Sequence, residues 1–345
     1  MARKKFASPG FGKLFLPQMV LQQYAGGKWG TPKIVRYADF KLPPSSVVFH
    51  YGQEIFEGFK VYRQPDGSAC MFRPLRNLAR MNASAERLSM AQINEKQVLE
   101  SICALVRRNK DYIPDAPQTL YVRPCMFGTD TVIKVHPSPT YTFFVIVSVV
   151  GGYFAGDDPR GVRLRTETKY TRAAPGGTGA AKCGGNYAAS LAAQQEASKD
   201  GFDQVVWLDG REHRFIEEMG GMNIMFVLGD ALITPSLASG SILPGVTRDS
   251  LLQLARDQKI KIEERDISVD ELIAAQKSGK LKEAFACGTA AVVTPIREIM
   301  HESKVLYRNL GKEAGALTMR LRQQLVDIQF GNAPDPHGWR FKIKL

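Results

Sequence analysis

The sequence predicts a mixed α/β protein of two domains, and three observations predict it. The chain has 345 residues, room for two ordinary domains. Runs of β-branched and aromatic residues alternate with stretches of helical periodicity in both halves. The run Gly151-Gly152-Tyr153-Phe154 ends the longest apolar segment, and Ala155 to Asp158-Pro159 follows it as a break. The expected division is a small first domain over 1–155, a linker over 156–168 and a larger second domain over 169–345.

Composition narrows the class. The chain is 44% hydrophobic and 23% charged, the balance of a globular protein that buries a core. The longest apolar run, Tyr141 to Val150, is too short to span a membrane and reads as a buried strand. Arg3, Lys4 and Lys5 lead into no apolar core or cleavage site, so no secretory signal is expected. The five cysteines are odd in number and widely spaced, with no C-x-x-C pair. This argues against a disulfide framework or a zinc site, so no metal is expected, and it fits a reducing cytoplasm. The net charge of +12 suits anionic ligands. The basic residues are scattered without interleaved aromatics, so a solvated basic surface is expected and nucleic-acid binding is not.

In chain order, residues 1 to 38 carry no acidic residue and many glycines and prolines, and read as an irregular arm. Val47 to Tyr51 and Phe56 to Tyr62 read as strands around a turn. Pro65-Asp66-Gly67-Ser68 is a turn, and Met71-Phe72 a short strand. Pro74 suits a helix's first turn, and Leu75, Leu78, Met81, Ala85 and Leu88 follow at helical spacing. A second helix runs from Glu95 to about Tyr112. Leu120 to Pro124 and Tyr141 to Val150 read as paired strands. The second half opens with Val162 to Thr168. A helix starts near Asn186, taken as its cap, and runs to Lys199. Gln204 to Leu208, a turn at Asp209-Gly210 and Arg214 to Ile216 follow, then a strand from Ile224 to Leu228. Leu243 to Asp249 opens a helix, and Ser268-Val269-Asp270-Glu271 is a capping box for another. Two strands flank Gly288-Thr289-Ala290, and the last helix lies near Gly315 to Gln329.

The chemistry concentrates around Lys182. Gly176, Gly177, Gly179, Gly184 and Gly185 surround it in a stretch where the backbone can turn sharply and approach a ligand. A lysine held out of water there loses proton affinity and becomes a nucleophile toward a carbonyl, as a Schiff-base lysine must. The plainer alternative is a flexible loop with a solvated lysine. The stretch is neither a P-loop nor a dinucleotide fingerprint: Ala181 precedes Lys182, Cys183 follows it, and the third glycine of the latter is missing. Pro244-Gly245-Val246-Thr247 before a helix and the Gly288-Thr289-Ala290 turn offer free amides for a phosphate, and Arg73 a bidentate charge. Glu218 can aim a carboxylate at a ring nitrogen; Glu217 is its equal by spacing alone.

Lys182 to Tyr187, Glu218 to Asn223 and Leu243 to Arg248 closely resemble the branched-chain amino acid aminotransferases, class IV pyridoxal-phosphate enzymes of the D-amino-acid-aminotransferase-like fold (fold-type IV). Phe56-Glu57-Gly58, Phe72-Arg73-Pro74, Tyr121 to Pro124 and Cys287 to Ala290 extend the resemblance over nearly the whole chain in the same order. The resemblance implies pyridoxal 5'-phosphate as cofactor. It implies that Lys182 holds the cofactor and shuttles the proton, that Tyr187 meets its phenolic oxygen and that Glu218, not Glu217, pairs with its pyridine nitrogen. It implies phosphate contacts from Arg73, Val246, Thr247 and Thr289. Phe56, Tyr121, Arg123 and Tyr153 line the substrate side, Tyr51 reaches across from a partner subunit, and the Gly221 and Ala290 amides receive the substrate carboxylate. The activity implied is transamination of leucine, isoleucine or valine with 2-oxoglutarate, ping-pong through pyridoxamine phosphate, in a cytoplasmic homodimer. The alternatives are a D-amino acid aminotransferase or an aminodeoxychorismate lyase of the same class. Two positions depart from the pattern. Met225 stands where an aromatic is usual. Ala291 and Thr294 replace the C-x-x-C pair of animal relatives, so thiol regulation of that kind is not expected.

Overall fold

The computed structural model describes residues 10–151 and 160–345. Tyr153 and the expected break at 155–159 lie outside them. The described residues form two compact units. One takes in the chain up to residue 151 with Ala181–Gly184 and Asp327–Leu345, and the other holds the chain from 160 to Ala180 and Gly185–Val326.

The first unit begins with β1 (Leu14–Phe15), β2 (Gln18–Ala25), β3 (Lys28–Trp29) and β4 (Lys33–Arg36). It continues through α1 (Val47–Tyr51), β5 (Glu54–Phe56), β6 (Phe59–Arg63), β7 (Ala69–Phe72), α2 (Pro74–Arg87), α3 (Glu95–Arg108), β8 (Thr119–Gly128) and β9 (Tyr141–Val150). The sheet runs β7-β6-β8-β9-β2-β3, with the two ten-residue strands β8 and β9 paired antiparallel along their whole length. Both helices press an apolar stripe on it: Leu78, Met81 and Ala85 from α2, and Val98, Ile102, Leu105 and Val106 from α3, all buried. Burying each large apolar side chain contributes about 1.5–3 kcal/mol. Asn94 caps α3 by accepting from Gln97 N.

Two local readings are corrected here. The arm of residues 1–38 is not irregular where described. Its strand β2 pairs with β9 over Val20–Tyr24, and Gly26 and Gly27, both left-handed, make the turn into β3. Val47 to Tyr51 is a single helical turn rather than a strand. Gly52 takes the left-handed conformation at its end and returns its N–H to Val48 O, so the glycine stops the chain from extending.

The second unit holds β10 (Val162–Glu167), α4 (Gly184–Ala188), α5 (Leu191–Lys199), β11 (Gln204–Leu208), β12 (Ile216–Met219), β13 (Met222–Leu228), β14 (Ala231–Thr234) and α6 (Val246–Asp257). β15 (Lys261–Glu264), α7 (Val269–Lys277), β16 (Leu281–Gly288), β17 (Val292–His301), β18 (Lys304–Arg308) and α8 (Ala316–Phe330) as far as Val326 complete it. Its strands run β12-β11-β10-β17-β16-β13, and β13 pairs back with β12, closing a ring that leaves no open edge among those six. The 156–168 stretch expected as a linker contains β10, which lies inside this ring between β11 and β17. The capping box forms, with Ser268 Oγ accepting from Glu271 N. Asn186 is not a cap. It lies inside α4, buried, and exchanges hydrogen bonds with Thr178, so the expected single helix breaks into α4 and α5.

The last strand, β19 (Arg340–Ile343), pairs antiparallel with β7, from Arg340 opposite Phe72 to Ile343 opposite Ala69. The chain end therefore completes the first unit's sheet, although the expected second domain ran to residue 345.

Candidate active site

In the first unit, Lys182 is clamped at its backbone. Its N–H donates to Ser84 Oγ of α2 (2.9 Å), and its carbonyl accepts from Phe56 N (3.0 Å). Its Nζ lies 4.8 Å from the centre of the Phe56 ring. Protein atoms crowd the half-buried side chain, and desolvation lowers its pKa to about 8, with Arg80 acting in the same direction and Glu57 against it. An amine titrating there has a substantial neutral, nucleophilic fraction at physiological pH.

Three of the residues expected on the substrate side, Phe56, Tyr121 and Arg123, gather beside it. Tyr121 and Arg123 sit two apart on β8 and share a face. The Arg123 guanidinium lies over the Phe56 ring at 4.7 Å and over the Tyr121 ring at 5.3 Å, with Nη2 donating to Tyr121 Oη at 3.4 Å. The ring of Tyr121 needs Gly58: a Cβ on that residue would lie 1.8 Å from Tyr121 Oη. The wall is thus two aromatic faces with one cation between them.

In the second unit, β12 and β13 form a tight hairpin that places Glu218 opposite Asn223, which explains their five-residue spacing. Glu218 is buried. Its Oε1 accepts from Asn223 Nδ2 (3.1 Å) and from Leu243 N (3.2 Å), and its Oε2 pairs with Arg172 Nη2 (2.9 Å). Neighbouring Glu217, on the opposite face of β12, is equally buried but accepts from Ser241 Oγ, and its pKa is pushed up to about 7, chiefly by burial. The two glutamates that spacing could not separate differ in their surroundings: Glu218 meets an arginine and two N–H donors, whereas Glu217 is poorly solvated and holds its proton to near neutrality.

Val246 and Thr247 form the first turn of α6, whose preceding Gly245 offers no side chain to cap it. A Cβ on Gly245 would lie 2.0 Å from Asn223 Oδ1, so the glycine lets the helix start beside Glu218's partner. Gly221 borders Tyr187: a Cβ there would come 3.2 Å from the tyrosine ring. Thr289 and Ala290 lie in the turn between β16 and β17, and β16 brings Cys287 opposite Asn223. Val292, which ends this turn, has a left-handed φ of 64°, a strained conformation for a β-branched residue. Glu218, Tyr187, Gly221, Val246, Thr247, Thr289 and Ala290 thus converge around one hairpin.

Two expected residues stand elsewhere. Arg73 sits left-handed at the N-cap of α2 with its guanidinium 5.0 Å from the centre of the Trp339 ring. Tyr51 ends α1, 41% exposed beside Phe49 at 60%.

Reading by motif missed Glu57, Arg80 and Arg172. A signal existed for Arg80. Asn77, Arg80 and Ser84 interrupt the apolar stripe of α2 at helical spacing, and all three are buried. Glu57 and Arg172 carried none beyond adjacency to Phe56 and to the glycine stretch.

A lysine of lowered proton affinity with aromatic walls, and a buried carboxylate beside an uncapped helix start, are the parts of an aldehyde-cofactor transferase. Residues 54–299 match the family model described as amino-transferase class IV, and the chain belongs to that family. Among curated relatives, the branched-chain-amino-acid aminotransferase of Mycobacterium tuberculosis is 47% identical over 97% of this chain and 92% of its own. Branched-chain-amino-acid transaminase 1 of Bacillus subtilis is 44% identical over 98% and 95%. The solved branched-chain amino acid aminotransferase of Escherichia coli superposes with a TM-score of 0.76 at 28% identity, covering 94% of this chain and 99% of that one. A second solved branched-chain amino acid aminotransferase, from T.th. and complexed with N-(5'-phosphopyridoxyl)-L-glutamate, gives 0.77 at 26%, covering 96% and 100%. The chain shares their fold. No helix among the described residues is long and apolar enough to cross a membrane.

Proposed function

We propose that this chain is a pyridoxal-phosphate aminotransferase that exchanges the amino group between branched-chain L-amino acids and 2-oxoglutarate. The observation that carries this reading is Lys182 in its aromatic and cationic setting, in a chain whose curated relatives at 42–47% identity are named for that activity.

The residues fit the cofactor. The bound group supplies the electron sink that makes the substrate Cα–H acidic. Lys182 Nζ holds the cofactor and carries the proton taken from Cα. Glu218, engaged by Arg172 and by two N–H donors, would hold the proton on the pyridine nitrogen. Tyr187 donates to the phenolic oxygen. The first-turn amides of Val246 and Thr247, with Thr289 and Arg73, take the phosphate. The Gly221 and Ala290 amides take the substrate carboxylate.

Phe56 and Tyr121, with Tyr153 beyond the described residues, supply apolar walls for an aliphatic side chain. A purely apolar wall would leave the second carboxylate of 2-oxoglutarate unpaired, at a cost of several kcal/mol. Arg123, whose guanidinium lies over both rings, meets that carboxylate and turns aside for leucine. The exposed aromatics of α1 support a homodimer in which Tyr51 serves the partner's site. The odd, unpaired cysteines support a cytoplasmic enzyme.

The test is direct. The purified chain is expected to be yellow, with an absorbance that changes on adding leucine and reverts with 2-oxoglutarate. Lys182→Ala loses transamination while remaining folded. Borohydride reduction followed by peptide mapping labels Lys182. Label on Lys169, whose ammonium is held charged by Tyr170 and Glu196, refutes the assignment.

A further inference from the structure

Strand β19 closes the first unit's sheet on one side only. It pairs with β7, and no strand among the described residues pairs with its other edge. One bond fixes which way its backbone groups point. Arg73 N donates to Trp339 O (2.8 Å), so the bonds around the Arg340–Phe72 pair lie on its flanks rather than within it. Antiparallel pairs alternate, so Phe341 and Ile343 turn their N–H and C=O toward β7. Arg340, Lys342 and Lys344 turn theirs to the open edge. Two contacts agree with this: Arg340 N donates to Asp335 Oδ2 (2.7 Å), and Lys344 O accepts from Arg107 Nε (2.6 Å). Between these held ends, the Lys342 N–H and C=O and the Lys344 N–H face outward.

A groove of about 540 Å³ runs along this edge, wholly within the first unit. Phe341, Lys342, Ile343 and Lys344 all line it, with Leu75 at the start of α2 and Leu99 of α3. Successive strand residues point to opposite faces, so four in a row along one groove make the strand's edge its wall. Leu75 is 45% exposed and Phe341 38%, which leaves apolar surface open beside the outward amides. The charges are one-sided. Lys96, Arg107, Lys342 and Lys344 border the groove, and Glu100 is the one carboxylate among its described lining residues.

We propose that β19 is a docking strand, to which a partner protein adds an extended acidic segment with apolar residues at alternate positions. The outward amides bond the segment's backbone, the Leu75–Phe341 surface takes its apolar side chains, and the four cations take its carboxylates. A second copy of this chain is the poorer occupant. Edge-to-edge pairing would bring the lysines of two β19 strands together, and like charges directly opposite are destabilising. Lysines on an edge keep neutral strands away. Here they select an acidic one. The proposal is independent of the reaction at Lys182.

The test titrates the full-length chain, carrying pyridoxal phosphate, into the fluorescein-labelled peptide Glu-Val-Glu-Val-Glu-Val-Glu and follows anisotropy at low salt. Binding is expected, weakening as salt is raised, and none with the matching Lys-Val peptide. Lys342→Pro removes an outward N–H while leaving every bond to β7, and is expected to weaken binding about fivefold or more. Lys342→Thr keeps that N–H, loses the charge and weakens binding by about threefold or less. Circular dichroism checks the fold of each variant. Hydrogen exchange on the unaltered chain reads the edge without any substitution: saturating acidic peptide is expected to slow exchange in the segment spanning Lys342 and Lys344. No binding up to about 1 mM overturns the proposal. So does equal binding of the Lys-Val peptide, or unchanged exchange along β19, which would show that surface charge alone attracts the peptide. A chain that self-associates in sedimentation and loses this in Lys342→Pro also overturns it, since a second copy would then hold the edge.

Discussion

The lysine cluster of the first unit and the glutamate cluster of the second each set a buried carboxylate against an arginine. In the lysine cluster, the carboxylate of Glu57 pairs with Arg80 and accepts from Asn77, and Glu54 accepts from Gly184 N. Around Glu218, the guanidinium of Arg172 faces two carboxylates, Glu217 and Glu218. In each place one carboxylate is in direct contact with its counter-ion, Glu57 with Arg80 and Glu218 with Arg172. Lys182 falls to about 8, and Glu217 rises to about 7, both chiefly through burial. Burial thus disfavours the charged form of either sign, lowering the lysine and raising the glutamate.

The comparison breaks most sharply at Arg172. Arg172→Met leaves both glutamates buried without a cation and is expected to cost about 3–5 kcal/mol of stability, read by urea unfolding at pH 8. A loss under about 1 kcal/mol would mean that Asn223 and Leu243 N suffice to hold Glu218.

Next in size is the contrast between the two glutamates. Glu218→Gln is expected to lower kcat about a hundredfold, equivalent to roughly 2.7 kcal/mol, because a neutral amide cannot hold a proton on the ring nitrogen. Glu217→Gln changes kcat less than about threefold. Equal losses would show that the buried pair acts as one unit.

A third effect belongs to the lysine side. Arg123→Met is expected to raise KM for 2-oxoglutarate and glutamate about tenfold, roughly 1.4 kcal/mol, and to change the half-reaction with leucine much less. Single-turnover kinetics of each half-reaction separate the two. An equal loss in both would make Arg123 a support for the aromatic wall only.

The smallest effect is a pH signature of Glu217. Its folded pKa, about 7, exceeds its ordinary 4.5, so the folded state binds the proton more tightly than the unfolded chain does. Stability therefore falls as pH rises from 4.5 to 7 and is constant in this respect above 7. Glu217→Gln removes that cost while its amide oxygen still accepts from Ser241. It is expected to gain about 1 kcal/mol in thermal unfolding at pH 8 and nothing at pH 4. A variant equally stable at both would show that Glu217 keeps its charge at no cost.

Much of this architecture was legible along the chain. Strands β8, β9, β11, β13 and β16 and helices α2, α3, α6, α7 and α8 each carry their own pattern of apolar period, cap or breaker within some ten residues. Lys182 in its glycines, Glu218 five residues before Asn223 and Pro244-Gly245 before α6 are local too, because a tight hairpin or a helix start spans only neighbouring residues. What the tertiary structure alone decided is who meets whom across distance. Glu57 finds Arg80 and Asn77 on a helix beyond two strands; Arg172 reaches Glu218 from 46 residues upstream in the sequence. β19 returns to β7, β12 closes on β13, and the glycine-rich arm becomes strands because β9 offers it an edge. Val47 to Tyr51 curls into one helical turn although its residues favour extension, because Gly52 and the chain around it fix its end. Local periodicity records which face of an element is apolar, but hydrogen-bond partners and ion pairs depend on the closure of long loops, and that information is spread over residues whose types say nothing of one another.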